Sequence, residues 1–156
     1  LRPSYFMQNL TTTLLHDILT EDTIFIPAGK VKFNWVDVRD IGLVGAHVLN
    51  DFEEYKNSAF EITGSEFKGF SEVAAMLSPI VDRKIRYESP NLLKFYLRKR
   101  KQGISKPMIF VMIMLHYLPR FSKNSSRLTS VVNDITGKQP HTLNQFIIRE
   151  KKLFYK

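Results

Sequence analysis

A strand pattern that runs directly into a helix pattern constrains this chain more than any other feature. From residue 31 to 36 apolar and polar residues alternate, with Phe33 and Trp35 on one side, which is typical of a β-strand. Asp37 follows at once and is predicted to cap a helix. Asp40 then lies in the first turn, where a negative charge favours the helix dipole. A strand, a tight turn and a helix in this order indicate one unit of an α/β fold.

The same succession continues along the chain. Residues 59–63 and 84–88 alternate as short strands, and an amphipathic helix is predicted between them, which Pro79 should kink or end. The lengths suit parallel crossover units, but the strands are fewer than a parallel sheet normally contains. The chain also opens at Leu1 in a segment typical of a strand end. We therefore expect the second half of a larger α/β fold.

Two further helices are predicted from periodicity and caps. From Tyr5 to about Thr20, apolar residues recur at spacings of three and four, which predicts one continuous helix. A second helix should begin after Asn91, a favourable cap. It should end in the cationic run 98–101, because positive charges favour a helix C-terminus.

The segment from residue 107 to 118 is apolar on every side, so as a helix it should be buried all round. In so short a chain, we expect it to pack against another domain, a protein partner or a second copy in a homo-oligomer. Thr129 and Thr142 are predicted to cap two short tail helices, the second with Gln145 in a capping box.

Charge divides the chain into two regions. Residues 1–82 carry 6 Lys/Arg and 12 Asp/Glu, whereas residues 83–156 carry 17 Lys/Arg and 3 Asp/Glu. The second region therefore has a net charge of +14. It could face an acidic partner, a nucleic acid or a membrane surface, but a solvated basic face is the simpler interpretation. No aromatic platform accompanies the cations, which disfavours nucleic-acid binding.

Composition sets the compartment and excludes several kinds of site. The chain has 156 residues and no cysteine, so disulfides and thiolate metal sites are excluded, and a reducing cytoplasm is expected. The longest apolar stretch, residues 108–115, is far shorter than the roughly 20 residues that cross a bilayer. No membrane span is predicted. The four histidines are isolated, so no metal site is predicted either.

The usual nucleotide and catalytic motifs are absent from the sequence. There is no three-glycine dinucleotide loop, no P-loop, no tyrosine followed four residues later by lysine, and no nucleophile elbow. The chain therefore contains no self-contained catalytic constellation, and no catalytic residue is assigned.

Five segments, in order, resemble one known family. They are LRPSYFMQN at residues 1–9, VDVRDI at 36–41, FEITGSE at 60–66, the stretch 77–87, and DITGKQPHT at 134–142, followed by Phe146. The chain is similar in these segments to NmrA-like proteins, which are atypical short-chain dehydrogenase/reductases. Two departures are that the family's Glu after Met is Gln8 here, and that the Ser or Thr that usually caps the helix near residue 70 is Gly69.

The resemblance implies the C-terminal part of a Rossmann-like NAD(P)-binding fold with a mostly helical cap. Residues 1–66 would form the last strands and helices of the Rossmann-like domain, and 67–156 a smaller cap and substrate region. The phosphate-binding loop would then precede Leu1. In that layout the first ten residues follow a late strand, at the edge where such folds bind ligands.

Site residues follow from that placement. The resemblance implies that Pro3, Ser4, Tyr5 and Phe6 contact the NAD(P) cofactor, and that Phe6, Asn9 and Trp35 contact a small-molecule substrate. For Tyr5 and Phe6 the alternative is packing at the start of a helix, and for Trp35 it is a place in the core.

Two functions remain open at this stage. The first is the C-terminal part of an NAD(P)H-dependent reductase acting on a quinone-like or carbonyl substrate, with the isolated fragment inactive. The second is a non-catalytic NAD(P)-sensing regulator that binds a protein partner. The resemblance applies equally to both, although we favour the enzyme.

Overall fold

The computed structural model describes residues 1–122 and 127–155. Its short β-strands pair mostly in parallel. The strands are β1 (Arg2–Pro3), β2 (Tyr5–Phe6), β3 (Thr23–Phe25), β4 (Lys32–Val36), β5 (Glu61–Ile62), β6 (Phe67–Gly69) and β7 (Arg86–Glu88). β1 pairs with β5, β2 with β4 and β3 with β7, all in parallel, and β6 runs antiparallel to β4. The α/β class is confirmed.

Helices follow the strands and form most of the second half. They are α1 (Leu15–Glu21), α2 (Val38–Asn50), α3 (Phe52–Tyr55), α4 (Phe70–Ile80), α5 (Leu92–Lys101), α6 (Lys106–Tyr117), α7 (Val131–Thr136) and α8 (Leu143–Glu150). Single 3-10 turns span Met7–Leu10, Leu118–Phe121 and Lys151–Phe154. α4 ends at Ile80, one residue after Pro79, as the sequence predicts.

The first residues form the centre of the sheet. Arg2 and Pro3 pair with β5 on one side, whereas Tyr5 and Phe6 pair with β4 on the other. Ser4 lies between the two pairings, and its backbone N–H donates to the Ile62 carbonyl at 2.9 Å. This segment therefore lies between two neighbouring strands and is fixed by backbone hydrogen bonds on both edges.

One large core joins both halves of the chain. It includes Ile24 and Phe25 of β3 together with Phe95 of α5 and Phe146 of α8, all fully buried. Strand β7 from the second half also pairs with β3 from the first. The division at residue 66 stays a prediction, but a strand of the first range pairs with a strand of the second, and both ranges contribute to one core.

The predicted helix from Tyr5 to Thr20 is wrong in its first part. Tyr5 and Phe6 are in a strand, the next four residues form a 3-10 turn, and the α-helix begins only at Leu15. The β-branched run at residues 11–13 is a poor helix former, and Thr11 and Thr12 donate to the Gln8 carbonyl. The apolar periodicity nevertheless marks the buried face, because Met7, Leu10, Leu14 and Ile18 are all fully buried.

Local caps are mostly where the sequence predicts them. The Asp37 carboxylate accepts the Arg39 N–H, and the Asn91 side chain accepts the Lys94 N–H. Thr142 and Gln145 form the predicted capping box. Thr129 is not the cap of α7, which is preceded by Ser130. The Thr129 hydroxyl instead donates to the Glu61 carbonyl at 2.7 Å, tying the tail to β5.

The helix predicted at residues 107–118 forms as α6, but it is not buried all round. Only Ile109, Met112 and His116 are buried, and Phe110 is 63% exposed. One face packs on the core, and the other apolar residues are left at the surface. A partner or second copy on that face remains a prediction.

Gly64 allows the turn after β5 to lie in direct contact with the backbone of β4. A Cβ at this position would lie 1.7 Å from the Trp35 carbonyl oxygen, so no side chain fits. The Gly64 N–H donates to the Asn34 side-chain oxygen at 2.8 Å, and the Asn34 amide donates to the Glu66 carbonyl at 3.2 Å. The buried asparagine thus fixes the turn that leads to β6.

Candidate substrate cleft

A cleft of about 1870 Å³ opens between the sheet and the end of α6. The strand side is formed by Ser4, Tyr5 and the segment 29–34. The opposite wall is formed by Met114, Leu115 and the turn that follows. A volume this large exceeds that of most small-molecule sites, so the cleft can accept a ligand of several rings.

The cleft floor is aromatic. Tyr5, Phe33, Phe67 and Tyr87 line it. The Tyr5 and Phe33 rings lie 4.9 Å apart, and Tyr5 meets the buried Trp35 edge-on at 4.7 Å. Such walls favour planar apolar ligands.

A buried pair of polar side chains joins this floor to α6. The Tyr5 hydroxyl lies 2.8 Å from His116 Nε2, and His116 Nδ1 lies 2.6 Å from the Met112 carbonyl. A carbonyl only accepts, so Nδ1 carries the proton and Nε2 accepts from the Tyr5 O–H. This contact holds α6 over the strand that begins the chain.

Burial sets the ionisation of this pair. Desolvation lowers the pKa of His116 to about 4, although the hydrogen bond to Met112 opposes the shift. Desolvation also raises the pKa of the Tyr5 hydroxyl above its ordinary value. Both side chains are therefore neutral near pH 7, and the Tyr5 hydroxyl is a fixed donor rather than an activated acid.

A second polar network lies at the carboxyl ends of β2 and β4. The Gln8 amide donates to Asp37 at 2.7 Å while its oxygen accepts the Val38 N–H, and Arg149 donates to the same carboxylate at 2.7 Å. Burial acts to raise the pKa of Asp37. Hydrogen bonds from Arg39, Arg149 and Gln8 outweigh burial and hold this pKa below its ordinary value. Gln8, where the family has Glu, avoids placing a second carboxylate there.

The structure brings some of the predicted site residues together. Ser4 and Tyr5 line the cleft, whereas Phe6 and Asn9 do not belong to its lining. Pro3 is exposed and lies outside the lining, and Phe6 is 39% exposed at the strand end. Cofactor contacts by these residues remain predictions.

Trp35 lies behind the cleft rather than on its wall. Its ring is fully buried, and its indole N–H donates to the Lys68 carbonyl at 2.9 Å. The cleft lining does not support a direct substrate contact by Trp35, and Tyr5 stands between them. The core alternative considered from the alternating strand fits this placement.

Sequence reasoning missed the cationic end of the cleft. Lys30, Lys32 and Arg120 line it together with Ser89. Lys30 and Lys32 precede or begin a strand, and Arg120 follows α6, so no local pattern links them. The contact between His116 and Tyr5 joins residues 111 positions apart, so no local pattern indicates it.

The structure offers no metal centre among the residues it describes, because no three His, Asp or Glu side chains converge there. Within residues 1–122 and 127–155, no helix has both the length and the apolar character needed to cross a bilayer.

Sequence relatives are reductases and a developmental protein. No protein-family profile matches the chain. It is 31% identical over 146 residues to prestalk A differentiation protein A of Dictyostelium discoideum, covering 94% of this chain and 48% of that protein. It is 28% identical to the NAD(P)H azoreductase of Xenophilus azovorans, covering 93% and 50% respectively. The chain thus spans about half the length of the curated relatives it matches.

The fold matches the second half of a larger reductase. Triphenylmethane reductase of Citrobacter sp., solved with NADP(H), superposes with a TM-score of 0.80 at 16% identity, over 96% of this chain and 51% of that one. The fold is therefore that of the second half of a Rossmann-like α/β fold. In sequence and in fold, the chain is thus similar to about half of proteins that are named as reductases.

Proposed function

We propose that the complete protein is an NAD(P)H-dependent oxidoreductase and that this chain supplies its substrate cleft. The substrate is a planar quinone-like or carbonyl compound. The observation that carries the proposal is the large aromatic cleft beside the central strand, with Ser4 and Tyr5 in its lining. Homology to a protein named NAD(P)H azoreductase supports the choice of cofactor.

The residues present fit only the nicotinamide end of such a cofactor. Ser4 offers a hydroxyl at the cleft, and the partly exposed Phe6 ring lies at the end of its strand. A pyrophosphate would need backbone N–H groups at a glycine-rich helix start, and this sequence has no such motif. When bound, the cofactor supplies the hydride. Ser4 and Phe6 would hold and orient the ring that carries it.

The protein's part in the reaction is positioning. Tyr5 and Phe33 provide flat surfaces against which a planar substrate can stack. The Tyr5 hydroxyl is held by His116, so the ring has one orientation. Because burial raises the pKa of Tyr5, the phenol keeps its proton near pH 7. The proton that balances hydride transfer to a quinone oxygen then comes from water at the open side of the cleft.

A matched pair of variants tests the cofactor contact. Phe6→Ala in the complete protein should raise the KM for NADPH about tenfold, the loss expected for one aromatic contact of about 1.4 kcal/mol. Leu49→Ala, which removes an exposed apolar side chain on α2, should leave the KM unchanged. The measurement is the loss of NAD(P)H absorbance with a naphthoquinone substrate. Absence of turnover with both quinones and aromatic carbonyls would contradict the proposal.

A second candidate is a regulator that senses NAD(P) without turnover. It is favoured by homology to a protein named for differentiation. Such a protein would bind NADPH in calorimetry but oxidise it no faster than solvent does. The same absorbance assay separates the two functions.

A further inference from the structure

The charged side chains of the cleft are all of one sign. Lys30, Lys32 and Arg120 line it, and among the residues the structure describes no Asp or Glu does. Lys32 is partly neutralised by Glu72 at 3.3 Å, outside the lining. Within the described residues Lys30 and Arg120 form no ion pair, so two cations face the cleft without a counter-charge.

These cations are held at one end of the cleft rather than scattered over a surface. The Arg120 side chain lies over Gly29, where an added Cβ would be 2.9 Å from its Nε. Its guanidinium also lies 4.8 Å from the centre of the Tyr117 ring. Lys30 is the next residue after Gly29 in the chain. Arg120 and the residue after Gly29 therefore line the same part of the cleft.

Neutral donors and acceptors complete this end. The Tyr87 hydroxyl donates to the Gly29 carbonyl at 2.9 Å, and the Gly29 N–H donates to the Ser89 hydroxyl oxygen at 2.9 Å. The Ser89 hydroxyl is part of the cleft lining beside them. Burial raises the pKa of Tyr87, and the charge of Arg120 is among the contributions that oppose this rise.

From this arrangement we infer that the cleft selects aromatic substrates that carry an anionic group, such as a sulfonate or carboxylate. The rings would stack on the floor formed by Tyr5 and Phe33, and the anion would lie between Lys30 and Arg120. A guanidinium and a lysine ammonium bind such oxyanions by charge-assisted hydrogen bonds. The same field disfavours cationic aromatic compounds. The inference rests on the proposed function and names its substrate class.

The test compares one quinone with and without a charge. The complete protein is assayed with 1,4-naphthoquinone and with its 2-sulfonate, and the variants Arg120→Gln and Lys30→Gln are assayed with both. Each variant should lower kcat/KM for the sulfonate about tenfold by raising KM, and change the neutral quinone by less than about twofold. KM for NADPH should stay the same. Lys138→Gln, an exposed cation outside the cleft, is the matched control.

Two further readouts make the outcome decisive. Added salt should raise KM for the sulfonate alone, because it screens the exposed cations. Calorimetric titration with each quinone gives a Kd without turnover, so the inference can be tested even if the protein oxidises no NADPH. Equal losses for both quinones, no loss for either, or a raised KM for NADPH instead would overturn the assignment.

Discussion

At the scale of single residues, the contact between Tyr5 and His116 has the clearest physical consequence. The imidazole is only 4% exposed, and its pKa is lowered to about 4 by burial. The unfolded chain binds this proton near the ordinary value of 6.5, so between pH 6.5 and 4 it binds more proton than the folded chain does. Folding stability from this group is complete above pH 6.5 and decreases as the pH falls.

We therefore expect the free energy of unfolding to drop by about 3 kcal/mol from this histidine as the pH falls from 7 to 4. Urea denaturation at several pH values measures the slope. His116→Gln should flatten it between pH 6.5 and 5, whatever its effect at pH 7. His16→Gln, at an exposed histidine, should keep it. An unchanged slope in His116→Gln would show that the imidazole is not held neutral.

At the scale of elements, α1 and α5 are joined by a buried ion cluster. Asp17 accepts from Lys99, from Arg98 at 2.7 Å and from Gln102 at 2.6 Å, and both Asp17 and Lys99 are 1% exposed. Burial acts to raise the pKa of Asp17, but these donors outweigh it and hold the pKa below its ordinary value. Removing one partner leaves the other charge buried without compensation.

Asp17→Ala should therefore destabilise the protein by about 3–5 kcal/mol, because it leaves the Lys99 ammonium buried and unpaired. Restoring neutrality with the double variant Asp17→Ala, Lys99→Met should recover part of that loss. Lys94→Met breaks the exposed pair with Glu88 and should cost less than about 1 kcal/mol. Chemical denaturation at pH 7 measures all three. Equal effects for Asp17→Ala and Lys94→Met would contradict the buried-cluster interpretation.

Elements that depend on neighbours in sequence could be predicted, and those that depend on distant partners could not. The caps at Asp37, Asn91 and Thr142 are hydrogen bonds between residues two or three positions apart, so a short sequence pattern indicates them. β3 was missed because all three of its residues are buried, so no alternation appears. Tyr5 was assigned to a helix because its strand pairing with Trp35 is a contact across 30 residues.

The same distinction applies to the site. The resemblance of the opening segment implied ligand contacts for residues 3–6 and for Asn9, and of these only Ser4 and Tyr5 line the cleft. The cationic end could not be predicted, because Lys30 and Arg120 are 90 positions apart and line one cleft only in the folded chain, where Arg120 lies beside Gly29. Side chains that converge from separate elements leave no spacing in the sequence to detect.

At the scale of the whole molecule, the shared core implies cooperative unfolding across the proposed boundary at residue 66. Strand β3 lies before that boundary and β7 after it, and they pair in parallel through Ile24 and Tyr87. The core cluster spans both ranges, and α8 packs into it through Phe146 and Ile147. Neither range has a separate core of comparable size in the described residues.

Native-state hydrogen exchange should show this coupling. In increasing urea, peptides covering β3 and β7 should converge on one opening free energy, because one strand cannot leave without exposing the other. The peptide covering α3, whose residues are not buried, should exchange earlier and serves as the internal comparison. Separate opening free energies for β3 and β7 would indicate two independent units.

The way α6 is attached has a consequence for the size of ligand that can enter. This helix contributes Met114 and Leu115 to one wall, and it is joined to the sheet by the hydrogen bond from Tyr5 to His116. The lengths of the Tyr5 and His116 side chains therefore set the distance between the two walls of the cleft. Shortening either side chain should let the helix settle closer, narrowing the mouth and excluding the bulkier ring systems first.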